Sequence, residues 1–255
     1  MLAIERRNAI LEKLQEEKKV IVSELSRQFT VSEETIRRDL EKFEQEGIVI
    51  KSYGGAVLSE STNIDLPFNI RKNRNVGGKQ KIAALIAGMI KDGDHIMLDA
   101  SSTAVFVAKA IKEKKNITLI TNSIEIIIEL FDVPEWKVLS TGGTAKEGSF
   151  ALVGPQTDRM LKLYHVDKSI VSCKGIDPQM GVTDSDEQHA GNKYTMLQSG
   201  SRKMLAADST KFGEVAFTKV GDLKDFDMII TDEKPDAKWL QLFESAGVEC
   251  LYPEK

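Results

Sequence analysis

Residues 31–40 read VSEETIRRDL, and the rest of the chain is interpreted outward from them. Ser32 stands where a helix N-cap belongs, and Glu33 and Glu34 follow in the first turn, where carboxylates favour the helix dipole. Apolar side chains recur at Ile36, Leu40 and Phe43, an i, i+4, i+7 stripe that faces a core. The opposite face carries Thr35, Arg37, Arg38 and Lys42, and Gly47 supplies a stop. Arginines near the start of a helix with so thin an apolar stripe suit the DNA major groove. A guanidinium grips guanine or phosphate there, and Thr meets a thymine methyl. A solvated helix face reads the same way until the neighbours are added.

Upstream, Leu2, Ile4, Ile10, Leu11 and Leu14 predict a first helix over residues 2–16. A short β-branched stretch, 20–22, precedes Ser23, expected to cap a second helix over 24–29. Only Thr30 and Val31 then separate that helix from Ser32, the spacing of a helix-turn-helix. Downstream, IVIKSYGGAVL (48–58) places two alternating strands around Gly54-Gly55, a hairpin signal. Three helices and a hairpin make a winged helix, whose Lys51 and Tyr53 are expected to reach the DNA backbone or minor groove. Net charge gives no support, since residues 1–58 hold ten Lys/Arg against eleven Asp/Glu. DNA contact therefore requires Arg37, Arg38 and Lys51 to share one face while the acids face away.

The remainder follows from composition and periodicity. A chain of 255 residues has room for two domains, and 41% hydrophobic with 29% charged residues is ordinary soluble composition. No apolar run of membrane-spanning length occurs, and the N-terminus lacks signal-peptide character, so a cytoplasmic protein with no membrane partner is expected. Two cysteines and three histidines, singly placed, predict neither a disulfide framework nor a metal or cofactor site. Residues 59–75 read as an extended linker ending in NIRKNRN, whose Arg71, Lys72 and Arg74 suit a solvated helix start or contact with DNA phosphates. Lys79–Lys91 carries a core stripe of Ile82, Leu85, Ile86, Met89 and Ile90.

From residue 95 strands alternate with helices: strands at 95–100, 117–121, 136–142, 167–173, 203–208 and 227–232, helices at 103–114, 124–131, 155–164, 185–199 and 235–246. That alternation predicts a parallel sheet covered on both faces. Ligands in such sheets bind at the carboxyl ends of strands. Those ends carry Asp99, Ser101, Ser102 and Thr103; Asn122 and Ser123; Gly142 and Gly143; Cys173 and Lys174; Asp184, Asp186 and Glu187; and Asp208 with Lys211. Hydroxyls at a helix start can cradle phosphate or can simply cap. Lysines can neutralise an anion and carboxylates can hold sugar hydroxyls, so the set suits a phosphorylated polyol.

ERRNAILEKLQEE, VSELSRQFTVSEETIRRDLEKFEQEG and YGGAV resemble the N-terminal domain of the DeoR family of bacterial transcriptional regulators over residues 3–58. LDASST, ITNS, LSTGG, SCKGID, GVTDSDE and ADSTKFG resemble its effector domain from about residue 73 onward. The resemblance implies an α/β fold: a winged helix-turn-helix (1–58), a linker (59–75), and a larger C-terminal α/β effector and oligomerisation domain (76–255) similar to ribose-5-phosphate isomerase and CoA-transferase subunits. It implies a non-enzymatic, sequence-specific repressor of a sugar-catabolism operon. The partners are operator DNA and a phosphorylated sugar, the assembly a homodimer or homotetramer.

The recognition helix is then 33–46, with Ser32, Thr35, Arg37, Arg38, Lys42, Lys51 and Tyr53 on DNA, and Asp39 orienting one arginine or lying as a plain surface acid. Within the family the pieces are closest to regulators of rhamnose or fucose use, implying a deoxyketose 1-phosphate. Cys173-Lys174 departs from the family's commoner Gly-Ala type pair, which would alter the pocket's charge. The rival reading is a sugar-phosphate isomerase or deaminase with a DNA-binding head, using Asp99, Asp184, Asp186 or Glu187 as base and Lys174 as electrophile.

Overall fold

The computed structural model describes residues 2–45, 47–59 and 66–254. It divides into two compact units, residues 1–74 and 75–255. In the first, α1 (Ala3–Glu17) leads through β1 (Lys19–Ile21) into α2 (Val22–Phe29), α3 (Glu33–Gln45), β2 (Val49–Ser52), β3 (Gly55–Leu58) and α4 (Phe68–Asn73). The expected strand-like stretch is β1, and α2 starts one residue before Ser23 with Ile21 at its N-cap. The tight turn into α3 needs Thr30 in the left-handed region (φ 54°), held by Val31 N–H donating to Ser26 O and Ser26 Oγ donating to Val31 O at 2.7 Å. Ser32 Oγ accepts from Thr35 N, as a cap should. Gly47 (φ 70°) follows α3, and Ile48 N–H closes back on Phe43 O at 2.7 Å. Residue 46, the expected end of the helix, lies outside the described residues.

The three strands pair in the order β1-β3-β2, all antiparallel. A side chain at Gly55 would meet Val20 O at 2.1 Å, so glycine lets β3 approach β1. Tyr53 projects from the hairpin tip, fully exposed. The core joins Ile10, Leu14, Leu25, Ile36, Leu40, Phe43 and Ile48 to Leu66 and Ile70. The C-terminal part of the stretch read as an extended linker is therefore not one. Pro67 leads into α4, and Leu66 and Ile70 bury their side chains in this core, which a polar-looking composition concealed.

The second unit opens with α5 (Val76–Met89) and β4 (His95–Leu98). α6 (Ser102–Ala110), β5 (Thr118–Thr121), α7 (Ile124–Leu130) and β6 (Lys137–Ser140) follow. A hairpin of β7 (Thr144–Lys146) and β8 (Ala151–Val153) leads to α8 (Pro155–Leu161) and β9 (Val166–Val171). A second hairpin, β10 (Gly175–Asp177) and β11 (Gly181–Asp184), precedes α9 (Glu187–Gln198) and β12 (Gly200–Ala206). Last come β13 (Thr218–Gly221), β14 (Met228–Ile230), α10 (Ala237–Ser245) and β15 (Glu249–Leu251). Six of the seven strands of the main sheet are those expected. The seventh, β15, is three residues long and has no alternation to betray it. The antiparallel sheet β10-β11-β13 and the β7–β8 hairpin escaped for the same reason.

The main sheet is parallel throughout and ordered β15-β14-β12-β9-β4-β5-β6. The chain builds outward from β4 through β5 and β6, then returns to β4's other side and builds outward again from β9. The order reverses between β4 and β9, the place where open α/β sheets bind ligands. Met97, Ile120, Val171, Leu205 and Ile229 enter one core with Leu161, Ala190, Leu197 and Phe243 from the helices. Their alternating neighbours Ile96, Leu119, Ile170 and Met204 are buried too, so both faces are covered. Among the described residues no helix is long and apolar enough to cross a membrane.

Candidate functional site

In the first unit the exposed face of α3 belongs to Glu33, Glu34, Arg37, Arg38, Glu41, Lys42 and Glu44, since Ile36, Asp39, Leu40 and Phe43 are buried. The condition that the acids face away is not met. Arg37 Nη2 lies 2.6 Å from Glu33 Oε2, Arg38 Nε 3.7 Å from Glu34 Oε1, and Lys51 Nζ 2.8 Å from Glu44 Oε2 and 3.8 Å from Glu41 Oε1. For the two arginines the cause is helix geometry: i and i+4 are neighbours, and Glu four residues before Arg is the favoured order. The Glu44 hydrogen bond holds the Lys51 ammonium above its ordinary pKa. Ser32 hydrogen-bonds Thr35 Oγ1 at 2.9 Å, so the threonine is tied to the cap. Asp39 orients neither Arg37 nor Arg38. It is buried, and its Oδ2 accepts from Nε of the equally buried Arg6 at 2.6 Å, pinning α3 to α1.

In the second unit the carboxyl ends of the strands share one edge, because Leu98, Thr121 and Ser140 are register partners, as are Leu98 with Ile170 and Val171 with Leu205. Asp99 spans the reversal between β4 and β9. Its Oδ1 accepts from Ser101 N at 3.1 Å and its Oδ2 from Ser172 N at 2.9 Å. Lys174 N–H donates to Thr183 O, closing the β10–β11 hairpin a few residues past the end of β9, with Asp184 next along its returning strand. Lys193 of α9 completes the group: its Nζ hydrogen-bonds Asp184 Oδ2 and stands 3.4 Å from Asp99 Oδ2. All three residues are buried. Burial pushes the Asp184 carboxyl up, but Lys193 more than offsets it, and the net shift is downward. Burial likewise pulls Lys193 down, and Asp184 and Asp99 more than reverse it. Beside them Cys173 is an inert thiol, pushed by burial up to about 12.

Several other candidate residues act as caps. Ser101 Oγ accepts from Ala104 N at the start of α6, Ser123 Oγ from Ile126 N at the start of α7, and Asp208 from Thr210 N. Burial raises the Asp208 carboxyl, and Lys211, Thr210 and Lys79 bring it below the usual range. Ser102 and Thr103 are buried in the first turn of α6. Asn122 donates to Leu152 O at 3.0 Å, while its Oδ1 is buried with no protein partner. Lys174 is half-buried. Glu187 is exposed in the first turn of α9. Gly142 and Gly143 are also exposed, and a side chain at Gly143 would strike Thr157 Oγ1 at 2.2 Å and Val153 O at 2.7 Å. The close approach that glycine permits there is therefore to the chain's own β8 and α8.

Lys193, Asn192, the influence of Lys79 on Asp208 and the β7–β8 hairpin are absent from the sequence reading. The hairpin meets this sheet edge through Leu152, whose carbonyl accepts from both Asn122 and Asn192. Lys193 had a signal: it interrupts the buried stripe His189, Ala190, Met196, Leu197. A lysine on the inward face of a helix must find carboxylates inside.

The comparisons agree with this division. A model described as the DeoR-like helix-turn-helix domain matches residues 6–62, and one described as the DeoR C terminal sensor domain matches residues 74–233. The HTH-type transcriptional regulator YulB of Bacillus subtilis (strain 168) is 40% identical over 249 residues, 98% of this chain and 96% of that protein. The glycerol-3-phosphate regulon repressor of Escherichia coli (strain K12) is 26% identical over 98% of each chain. Among solved structures, ribose 5-phosphate isomerase A of Methanocaldococcus jannaschii aligns over 52% of this chain and 53% of its own, at 15% identity and a TM-score of 0.39, too loose a likeness to bear on function. With a helix-turn-helix in one unit, a sensor-type α/β sheet in the other and a full-length relative at 40% identity, this chain belongs to the DeoR family of transcriptional regulators.

Proposed function

We propose that the chain is a repressor of a sugar-catabolism operon whose grip on operator DNA is set by a phosphorylated sugar bound at the carboxyl edge of the main sheet. The observation that carries this reading is the buried group at the β4–β9 reversal: Asp99, Asp184 and Lys193 beneath the hydroxyls that open α6. The positive end of α6 with the hydroxyls of Ser101, Ser102 and Thr103, and the ammonium of Lys174, suit the phosphate. The unpartnered Asn122 Oδ1 suits a sugar hydroxyl, which would donate to it. The name of the Escherichia coli relative, a repressor of a glycerol-3-phosphate regulon, supports the ligand class. A deoxyketose 1-phosphate is the member of that class we favour.

Residues 1–58 are the DNA-reading part in this proposal, with Ser32, Thr35, Arg37, Arg38, Lys42, Lys51 and Tyr53 facing the duplex. Control follows from linkage, because a ligand that binds two arrangements unequally shifts their populations. A tenfold change in operator affinity needs about 1.4 kcal/mol of differential binding. A homodimer or homotetramer in the cytoplasm, reading repeated half-sites, completes the proposal.

Turnover of the sugar is not part of it. A base must be able to take up a proton, and the Asp99 and Asp184 carboxylates are already engaged by backbone N–H groups and Lys193. The ammonium of Lys193, held protonated, is no nucleophile. The test is a thermal-shift screen of phosphorylated sugars against their unphosphorylated parents, with NMR of each hit. One phosphorylated sugar should raise the melting temperature, its parent should not, and its spectrum should stay unchanged for hours. Stabilisation by the parent alone, or conversion of the sugar, overturns the reading.

A further inference from the structure

The described charges on the outer face of α3 and the wing lysine nearly cancel. Glu33, Glu34, Glu41 and Glu44 stand against Arg37, Arg38, Lys42 and Lys51, and three of the four cations are in ion pairs with those glutamates. These pairs are exposed, with side chains 40–77% accessible, so they contribute little to stability and are free to exchange partners. A non-specific duplex offers each cation only a phosphate. Taking it means giving up a carboxylate and leaving that carboxylate beside the polyanion. An operator offers bidentate base edges as well, which repay the exchange. Salt dependence carries the same signature. A cation that binds DNA by leaving a carboxylate lets that carboxylate take up a solution cation, which offsets the counterions the phosphate releases.

We propose that Glu33, Glu34 and Glu44 are specificity determinants of this DNA-binding surface: they hold Arg37, Arg38 and Lys51 in internal pairs that only the correct base sequence displaces. The inference rests on the reading that α3 and the wing face DNA. It makes the acids on that face part of the discrimination instead of a defect of charge balance.

The experiment uses the full chain and a duplex enriched from a random pool by the wild-type protein, with a scrambled duplex as control. Affinities are measured from about 50 to about 200 mM salt for wild type, for Glu33→Gln with Glu34→Gln and Glu44→Gln, and for Arg37→Ala. The glutamine variant should bind scrambled duplex about tenfold more tightly and the enriched duplex by a smaller factor. Its salt slope on scrambled duplex should steepen by about 0.9 for each cation released from its pair. Equal tightening on both duplexes with an unchanged slope overturns the inference, because the carboxylates then contribute net charge alone. Weaker binding of the enriched duplex with scrambled binding unchanged also overturns it, making the glutamates direct readers of bases. Arg37→Ala separates the layers: full affinity for the enriched duplex in that variant sinks the recognition-helix reading itself, whatever the glutamines do.

Discussion

The outer face of α3 and the β4–β9 reversal hold ion pairs of opposite kinds. On α3, Arg37 and Glu33 lie 2.6 Å apart with side chains about half exposed, 54% and 47%. At the β4–β9 reversal, Lys193 and Asp184 are in closer contact still, with side chains 9% and 3% exposed. Similar distances mean different things. In water the attraction is small and the partners exchange, so the pair is available to a competing ligand. Inside the sheet edge each charge has lost its hydration and depends on the others, so the group is fixed architecture. The first kind can be given up to a competing partner, and the second cannot.

The sharpest way to break this contrast is Lys193→Met. It leaves Asp99 and Asp184 buried without their cation and should cost about 3–5 kcal/mol in the second unit, measured by denaturant titration. Trp136 and Trp239 both lie in that unit, so tryptophan emission reports it alone. The sign with pH is set by Asp184. Its depressed pKa in the wild type adds stability above the unfolded value of about 3.9, lost as pH falls through the folded value. In the variant the stranded carboxylate's pKa rises instead, so acidification relieves it, and the gap between the proteins should shrink from pH 7 toward pH 4. A gap that widens would mean that Asp184 does not depend on Lys193.

Asp39→Ala places the buried kind of pair in the first unit. Stranding Arg6 should cost about 3 kcal/mol there. Helical ellipticity should show a new low-temperature transition while tryptophan emission keeps its midpoint. Arg37→Ala with Arg38→Ala tests the exposed kind: stability should change by no more than about 0.5 kcal/mol. Operator affinity should fall by about 1–3 kcal/mol for each arginine that contacts a base, read by band shift. A large stability loss with operator binding retained would invert the comparison.

The smallest effect separates capping from ligand binding at α6. Ser101→Ala removes an N-cap and should cost about 1 kcal/mol. Ser102→Ala leaves that cap in place and should leave stability nearly unchanged while weakening the response to a phosphorylated sugar. Equal losses of that response in both variants would assign the phosphate to the helix start as a whole.

The first unit was nearly legible as sequence because its signals are local. Ser32 and Gly47 bracket α3, the stripe Ile36–Leu40–Phe43 sets its inner face, and a glycine-bearing turn between short β-branched runs marks the wing, although the turn residues are Tyr53-Gly54 and not the Gly54-Gly55 expected. Six strands of the main sheet declared themselves in the same way, as apolar runs bounded by helices. What failed was pairing at a distance. Periodicity assigns a residue to a face and does not say who stands opposite, so Asp39 was legible as a partner for an arginine but not for Arg6, thirty-three positions away. Lys193 was visible as a lysine on an inward stripe, yet only the return of the β10–β11 hairpin to the end of β9 brings Asp184 and Asp99 to it. The glutamates of α3 were countable, and their i, i+4 spacing to the arginines was in plain view. Local order in this protein follows from neighbouring side chains and backbone preferences, which the chain carries along its length. The candidate site follows from which strand ends the reversal of the sheet makes adjacent, and that is a property of the folded arrangement.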